Sequence, residues 1–129
     1  MNKQREKGFT IIEVLFAIAI LVPVCFAVIG INFYMTRAAD SARMTITALQ
    51  DAHTVIERIR DASRQGLNRV TTNFPDGQAV PGFANLTNEQ IVVDYANPAA
   101  DPLATTVTAT WTDGGRNMRR DLSTQITQR

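Results

Sequence analysis

The chain has 129 residues, 45% of them hydrophobic and 19% charged, with a formal net charge of +1. That is room for one modest folded unit. Residues 1–8, 9–36, 37–65 and 66–129 carry +2, −1, +1 and −1, so no segment has the basic excess on which general nucleic-acid binding depends. A single cysteine, Cys25, and a single histidine, His53, exclude an intramolecular disulfide and any zinc site built from Cys and His clusters.

Charge is absent between Glu13 and Arg37. As a helix, Val14–Thr36 would be roughly 35 Å long, enough to cross a hydrocarbon core of about 30 Å. A secretory h-region is shorter, about 7–15 residues, and ends at a small-x-small cleavage site. Here the triplet Ala17-Ile18-Ala19 lies in the middle of the run, so the segment is expected to span a membrane. Lys3, Arg5 and Lys7 precede it, offset by Glu6, which keeps the N-terminus cytoplasmic and exports the remainder. Cys25 reads as a small lipid-facing or helix-packing residue. Pro23 and Gly30 predict a kink or loosened turn near Ala19 and a weaker helix near the membrane exit. Glu13, at the head of the apolar run, is costly if it enters hydrocarbon unpaired and so is expected to have a partner.

The stretch Lys7-Gly8-Phe9-Thr10-Ile11-Ile12-Glu13-Val14-Leu15 resembles the processing motif of type IV prepilins and pseudopilins. The resemblance implies that residues 1–8 are a basic leader removed by prepilin peptidase on the cytoplasmic face. Gly8 would precede the cut, and Phe9 would become the N-methylated first residue. Glu13 matches the glutamate that the family uses in assembly. Implied partners are other pilins or pseudopilins, met through the N-terminal helix, and an inner-membrane assembly platform. The implied location is the bacterial inner membrane, single pass, with a periplasmic C-terminal domain and a filament after assembly. Cutting would expose an amine beside an apolar helix, and a carboxylate is its natural partner.

Past the span, Ala42, Ile46, Leu49, Ala52, Ile56 and Ile59 recur at spacings of three and four. They predict that the helix continues, from Thr10 to Gln65, with one apolar stripe turned toward a sheet. Gly66 is a suitable terminator. His53, close to the stripe, reads as a partly buried structural histidine. Residues 66–89, rich in Pro, Gly, Asn and Thr, read as a connecting loop. Strands are expected at Gln90–Tyr95, Ala104–Thr112 and Arg119–Thr127, with Asp113-Gly114-Gly115 as the turn between the last two. Trp111 is expected in the core.

The predicted architecture is α+β: one long N-terminal helix packed on a small C-terminal antiparallel sheet, an order that resembles the pilin fold. The division is a leader at 1–8, a transmembrane and assembly helix at 9–36, and a periplasmic domain at 37–129. The ending of the chain is similar to small minor pilins of the PilV type and to I-type minor pseudopilins of type II secretion. A C-terminal cysteine pair and a calcium loop of the major-subunit kinds are missing, and Asp94, Asn97 and Asp101 are scattered acceptors. No catalytic constellation, metal site or cofactor motif is found. The expectation is a non-enzymatic minor subunit that helps to initiate or prime a filament of type II secretion or of a type IV pilus. Two alternatives stay open: a minor pilin that binds DNA or a surface through Arg116, Arg119 and Arg120, and a plain membrane anchor.

Overall fold

The computed structural model describes residues 9–127. Two helices and four strands follow in order: α1 (Ile11–Ser63), α2 (Leu67–Asn73), β1 (Gln78–Ala79), β2 (Gln90–Tyr95), β3 (Leu103–Asp113) and β4 (Arg116–Ile126). Contacts divide the chain at Ala39/Asp40 into two compact units, and α1 contributes residues to both.

In the C-terminal unit a four-stranded antiparallel sheet runs in the order β1-β2-β3-β4. The β3–β4 register is one-to-one from Asp113↔Arg116 to Leu103↔Ile126, without a bulge. Gly114 and Gly115 close the hairpin at φ of 55° and 82°, as a two-residue type I′ turn requires of both central positions. Along β3, Leu103, Thr105, Val107, Ala109 and Trp111 alternate as the buried face. The apolar ones form one core with Ala48, Ala52, Val55, Ile56 and Ile59 of α1, with Val70 of α2, and with Ile91, Val93 and Tyr95 of β2. Trp111 is 2% exposed, as its place in the alternation predicts.

Three expectations are corrected. The helix buries a different stripe: Ala48, Ala52, Val55, Ile56, Ile59 and Ala62 are buried, while Ala42 and Ile46 are exposed and Leu49 is half-buried. Both stripes satisfy helical spacing and share Ala52, Ile56 and Ile59. The sheet covers the one with more alanines. His53 is accordingly on the surface, its side chain 63% exposed and its Nε2 3.8 Å from Glu57 Oε1. Residues 66–89 are not wholly irregular, because they include α2 and β1. Helix α2 buries only Val70, and β1 is two exposed residues paired to Val92 and Val93, so neither leaves a periodic apolar signature.

Helix α1 ends as the sequence predicts, with Gln65 N–H donating to Ala62 O and Gly66 N–H to Ser63 O, both at 3.0 Å. Gly66 sits at φ 115°, a conformation strained for residues bearing a Cβ. Polar ties then fasten the connecting segment. The Tyr95 hydroxyl donates to Phe74 O at 2.8 Å, and Tyr95 N–H donates to Asp76 Oδ1 at 2.8 Å. Burial, reinforced by the Asp76 charge, pushes the Tyr95 phenol up to about 12. Asn85 bridges helix and loop, its Nδ2 donating to Asp51 Oδ2 at 2.8 Å. Glu89 Oε2 accepts the N–H groups of Asn85 and Leu86 at 2.8 and 3.1 Å. Arg58 lies over the Phe83 ring, 5.1 Å from its centroid.

Replacing Ile56, 4% exposed, by Asp buries an unpaired charge between helix and sheet. A loss of roughly 4 kcal/mol is expected, read as unfolding or a collapsed melting temperature in a fragment spanning 40–129. An unchanged melting curve would mean that this face is not the core.

Glu89 supplies a pH prediction. Its carboxyl is raised above 4.5, first by burial and also by the neighbouring Asp51 carboxylate, against the lowering effect of its two backbone donors. Its Oε1 is buried without a partner. A group raised on folding favours the folded state below its unfolded pKa and loses that contribution as pH rises through the folded value. Glu89→Gln should therefore melt higher than the native chain at neutral pH, with the gap closing as pH falls toward 4.5. A gap that does not change with pH would show that Glu89 ionises freely.

Candidate processing and assembly site

The N-terminal unit is built around the start of α1. Gly8 and the basic leader lie outside the described residues, so the structure begins at Phe9, whose side chain is 82% exposed. Thr10 opens the helix: its carbonyl accepts the N–H of Glu13 at 3.0 Å and of Val14 at 3.3 Å. Glu13 thus stands in the first helical turn, where unpaired backbone N–H groups and the helix dipole favour a carboxylate. Thr10 and Glu13 are three residues apart, the spacing of a capping box. That spacing is legible in the sequence as Thr-x-x-Glu ahead of an apolar run.

From Phe9 to Asp40 every residue is exposed. The exposed side chains include Ile12, Leu15, Phe16, Ile20, Leu21, Phe26, Phe33 and Tyr34. The most apolar window of α1 has a mean hydropathy of 3.0, none of it buried. An apolar surface of that extent on all sides of one helix suits lipid or neighbouring helices and not water. The polar side chains near its end bond to their own helix: Asn32 Nδ2 donates to Val28 O and the Thr36 hydroxyl to Asn32 O, both at 2.9 Å. Satisfied in this way, they are compatible with an apolar surrounding. The backbone remains α-helical through Pro23 and Gly30. Cys25 is free and exposed.

The remaining candidates do not join this site. Arg116, Arg119 and Arg120 lie on β4, exposed, and Arg119 Nε is held 2.9 Å from Asp121 Oδ1. That contact and a 2.8 Å hydrogen bond from the Thr108 hydroxyl keep the Asp121 carboxyl below its usual range. Among the described residues, no three His, Cys, Asp or Glu side chains converge to hold a metal ion.

Residues 3–22 match the prokaryotic N-terminal methylation motif. The match spans Lys3, Arg5, Lys7, Gly8, Phe9 and Glu13 and reaches Val22 inside the apolar run. No curated protein and no solved structure matches the chain. With the motif at the head of one long helix and a small antiparallel sheet in the C-terminal part, the chain is consistent with a membrane-anchored, single-pass, type IV pilin-like protein, its subtype left undivided by the match.

Proposed function

We propose that this protein is a minor pilin or minor pseudopilin, cut between Gly8 and Phe9 and N-methylated on Phe9, that helps to initiate or prime a filament of type II secretion or of a type IV pilus. The observation that carries the reading is the continuity between the methylation motif and a helix whose apolar residues are all exposed as far as Ala39. The motif supplies a processing event, and the helix supplies a surface that neighbouring helices cover after it. Prepilin peptidase and other pilin-like subunits are the partners, with an inner-membrane platform driving assembly. The leader stays cytoplasmic and the C-terminal unit lies in the periplasm.

Glu13 gives the processing its consequence. The precursor has no amine at Phe9, while the mature chain has one within a helical turn of the Glu13 carboxylate. A carboxylate moved unpaired into the membrane interior costs about 2.5–3.5 kcal/mol on insertion scales. Its own Phe9 amine, or that of a neighbouring subunit, offsets this cost. Pairing to a neighbour also sets the axial register of the two helices, which apolar side chains hold poorly because they slide.

In a host with prepilin peptidase, intact-mass analysis should show a chain that starts at Phe9, lacks residues 1–8 and carries one added methyl group. Gly8→Phe should leave the precursor uncut. A native chain that stays unprocessed beside an active peptidase would remove the pilin reading.

Glu13→Ala should be cut and inserted normally but be recruited poorly into assemblies, with at least a tenfold loss of helix-to-helix crosslinks to partner pilins. Glu13→Gln should show a milder loss, because it keeps hydrogen bonding without charge. Native-level crosslinking in Glu13→Ala would remove the assembly role proposed for Glu13.

A further inference from the structure

Residues 83–89 form a strap beside α1, tied to it at two points. Arg58 lies 5.1 Å from the centroid of the Phe83 ring, and Asp51 Oδ2 accepts from Asn85 Nδ2 at 2.8 Å. Asp51, Val55 and Arg58 share one helical row by their spacing of four and three. Val55, between the two ties, is fully buried. Phe83 and Leu86 are half-buried against the core. The strap also meets β3 at Thr112, whose N–H donates to Thr87 O at 2.9 Å and whose hydroxyl lies 3.4 Å from Asn88 Nδ2.

Two acids meet where the strap joins the helix. Glu89 turns one carboxyl oxygen into its own loop, where Oε2 accepts the N–H groups of Asn85 and Leu86. The other oxygen, Oε1, is buried without a partner. Asp51 stands within hydrogen-bonding reach of the same carboxyl. Two ionised carboxylates are acceptors only and cannot bond to each other, whereas a protonated one is a donor to its neighbour. One proton thus turns a repulsive contact into a bond between strap and helix.

No cation offsets the pair. Among the described residues, neither Glu89 nor Asp51 makes an ion pair. Arg58, the basic residue of the Asp51 row, is turned to Phe83, and His53 of α1 is turned to Glu57. Strand β3 meets the strap through Thr112, which is neutral. A metal ion fits poorly, because two carboxylates fall far short of the about six to eight oxygens that calcium takes. No third acidic, His or Cys side chain joins them among the described residues.

We propose that Glu89 and Asp51 form a proton-operated latch, which holds residues 83–89 against α1 while the two carboxyls share a proton and loosens them when both are ionised. The device is independent of the processing and assembly role proposed for Phe9 and Glu13, and stands whether or not that role does. Its direction follows from the Glu89 carboxyl, which burial and the Asp51 charge raise above 4.5. A group raised in this way favours the closed arrangement below 4.5 and loses that contribution as pH rises through the raised value. Acid shuts the latch, and neutral pH uncovers the Asp51–Arg58 row of α1.

Amide hydrogen exchange of the full chain in detergent micelles, corrected for the intrinsic effect of pH, tests the latch. The Thr112 N–H, bonded to Thr87 O, exchanges when the strap lifts. Val107 and Ala109, buried in the middle of β3, report opening of the whole unit. Thr112 should be less protected than either, and its opening should rise at least threefold between pH 4.5 and neutral pH. Glu89→Gln keeps an acceptor for the two loop N–H groups and adds a permanent donor toward Asp51. It should hold the acidic level of protection at neutral pH, with no pH dependence. Asp51→Asn should also flatten the rise, because it removes the charge that Glu89 meets. Thr112 protection that is constant with pH would overturn the proposal. So would an equal rise in Glu89→Gln, which would mean that another group titrates. Equal protection of Thr112 and Ala109 at every pH would overturn it as well, because the strap would then open only with the whole unit. Protection restored by calcium at neutral pH would assign the contact to a metal ion and not to a proton.

Discussion

The shared core of α1 and the sheet is the contact on which the C-terminal unit depends. Ala48 and Ala52 present little more than backbone to the sheet, and Val55 and Ile59 follow on the same side of the helix. Opposite them, Leu103, Val107, Ala109 and Trp111 form the buried row of β3. Small and large residues fill one core between them, with Trp111 2% exposed. No disulfide stands behind this contact. The packing has to carry the entropy of ordering the unit. It does so while leaving the Trp111 indole N–H buried without an acceptor, a cost on the order of 1–3 kcal/mol.

The same helix meets a second requirement in its N-terminal part. There, every side chain from Phe9 to Asp40 is exposed, and the run from Val14 to Thr36 is without charge. A helix is suited to this because it satisfies its backbone groups internally wherever water is absent. Asn32 and Thr36 extend that economy by bonding to carbonyls one turn back. Glu13 is placed where a carboxylate is least costly, in the first turn with Thr10 as the opening residue. Its position therefore has a local physical cause as well as the assembly role proposed for it.

Polar ties in the C-terminal unit are unevenly distributed. Tyr95, Asp76, Asp51, Asn85 and Glu89 fasten the long connection, with Thr112 N–H donating to Thr87 O at 2.9 Å. These bonds hold a proline- and glycine-rich segment that has little core of its own. On the β4 side, by contrast, outward-facing polar pairs such as Thr108–Asp121 and Thr106–Ser123 stay within the β3–β4 hairpin. The sheet is thus closed by side chains at one edge and left open at the other.

Chemistry that acts over a few residues was determined by the sequence itself. The methylation motif, the uncharged run after Glu13, the Asp113-Gly114-Gly115 turn and the alternation of β3 all depend on neighbours in the chain. The helix that holds the uncharged run, the turn and the alternation of β3 appear in the fold within a few residues of their predicted places: β2 spans Gln90–Tyr95 as expected, and α1 starts at Ile11 against an expected Thr10. What required the tertiary structure was every choice between faces. Helical spacing allows two overlapping stripes between Ala42 and Ala62, and only the width and position of the sheet decide that Ala48 and Val55 go inside while Ile46 stays out. The same choice put His53 on the surface. Helix α2 and strand β1 were illegible because each gains its few partners from segments distant in sequence, and seven or two residues carry too little periodicity to announce them. The unpaired β4 edge is likewise a property of strand order, which local sequence does not encode. Spacing along the chain says which residues share a face, but which face is buried depends on what folds back against it.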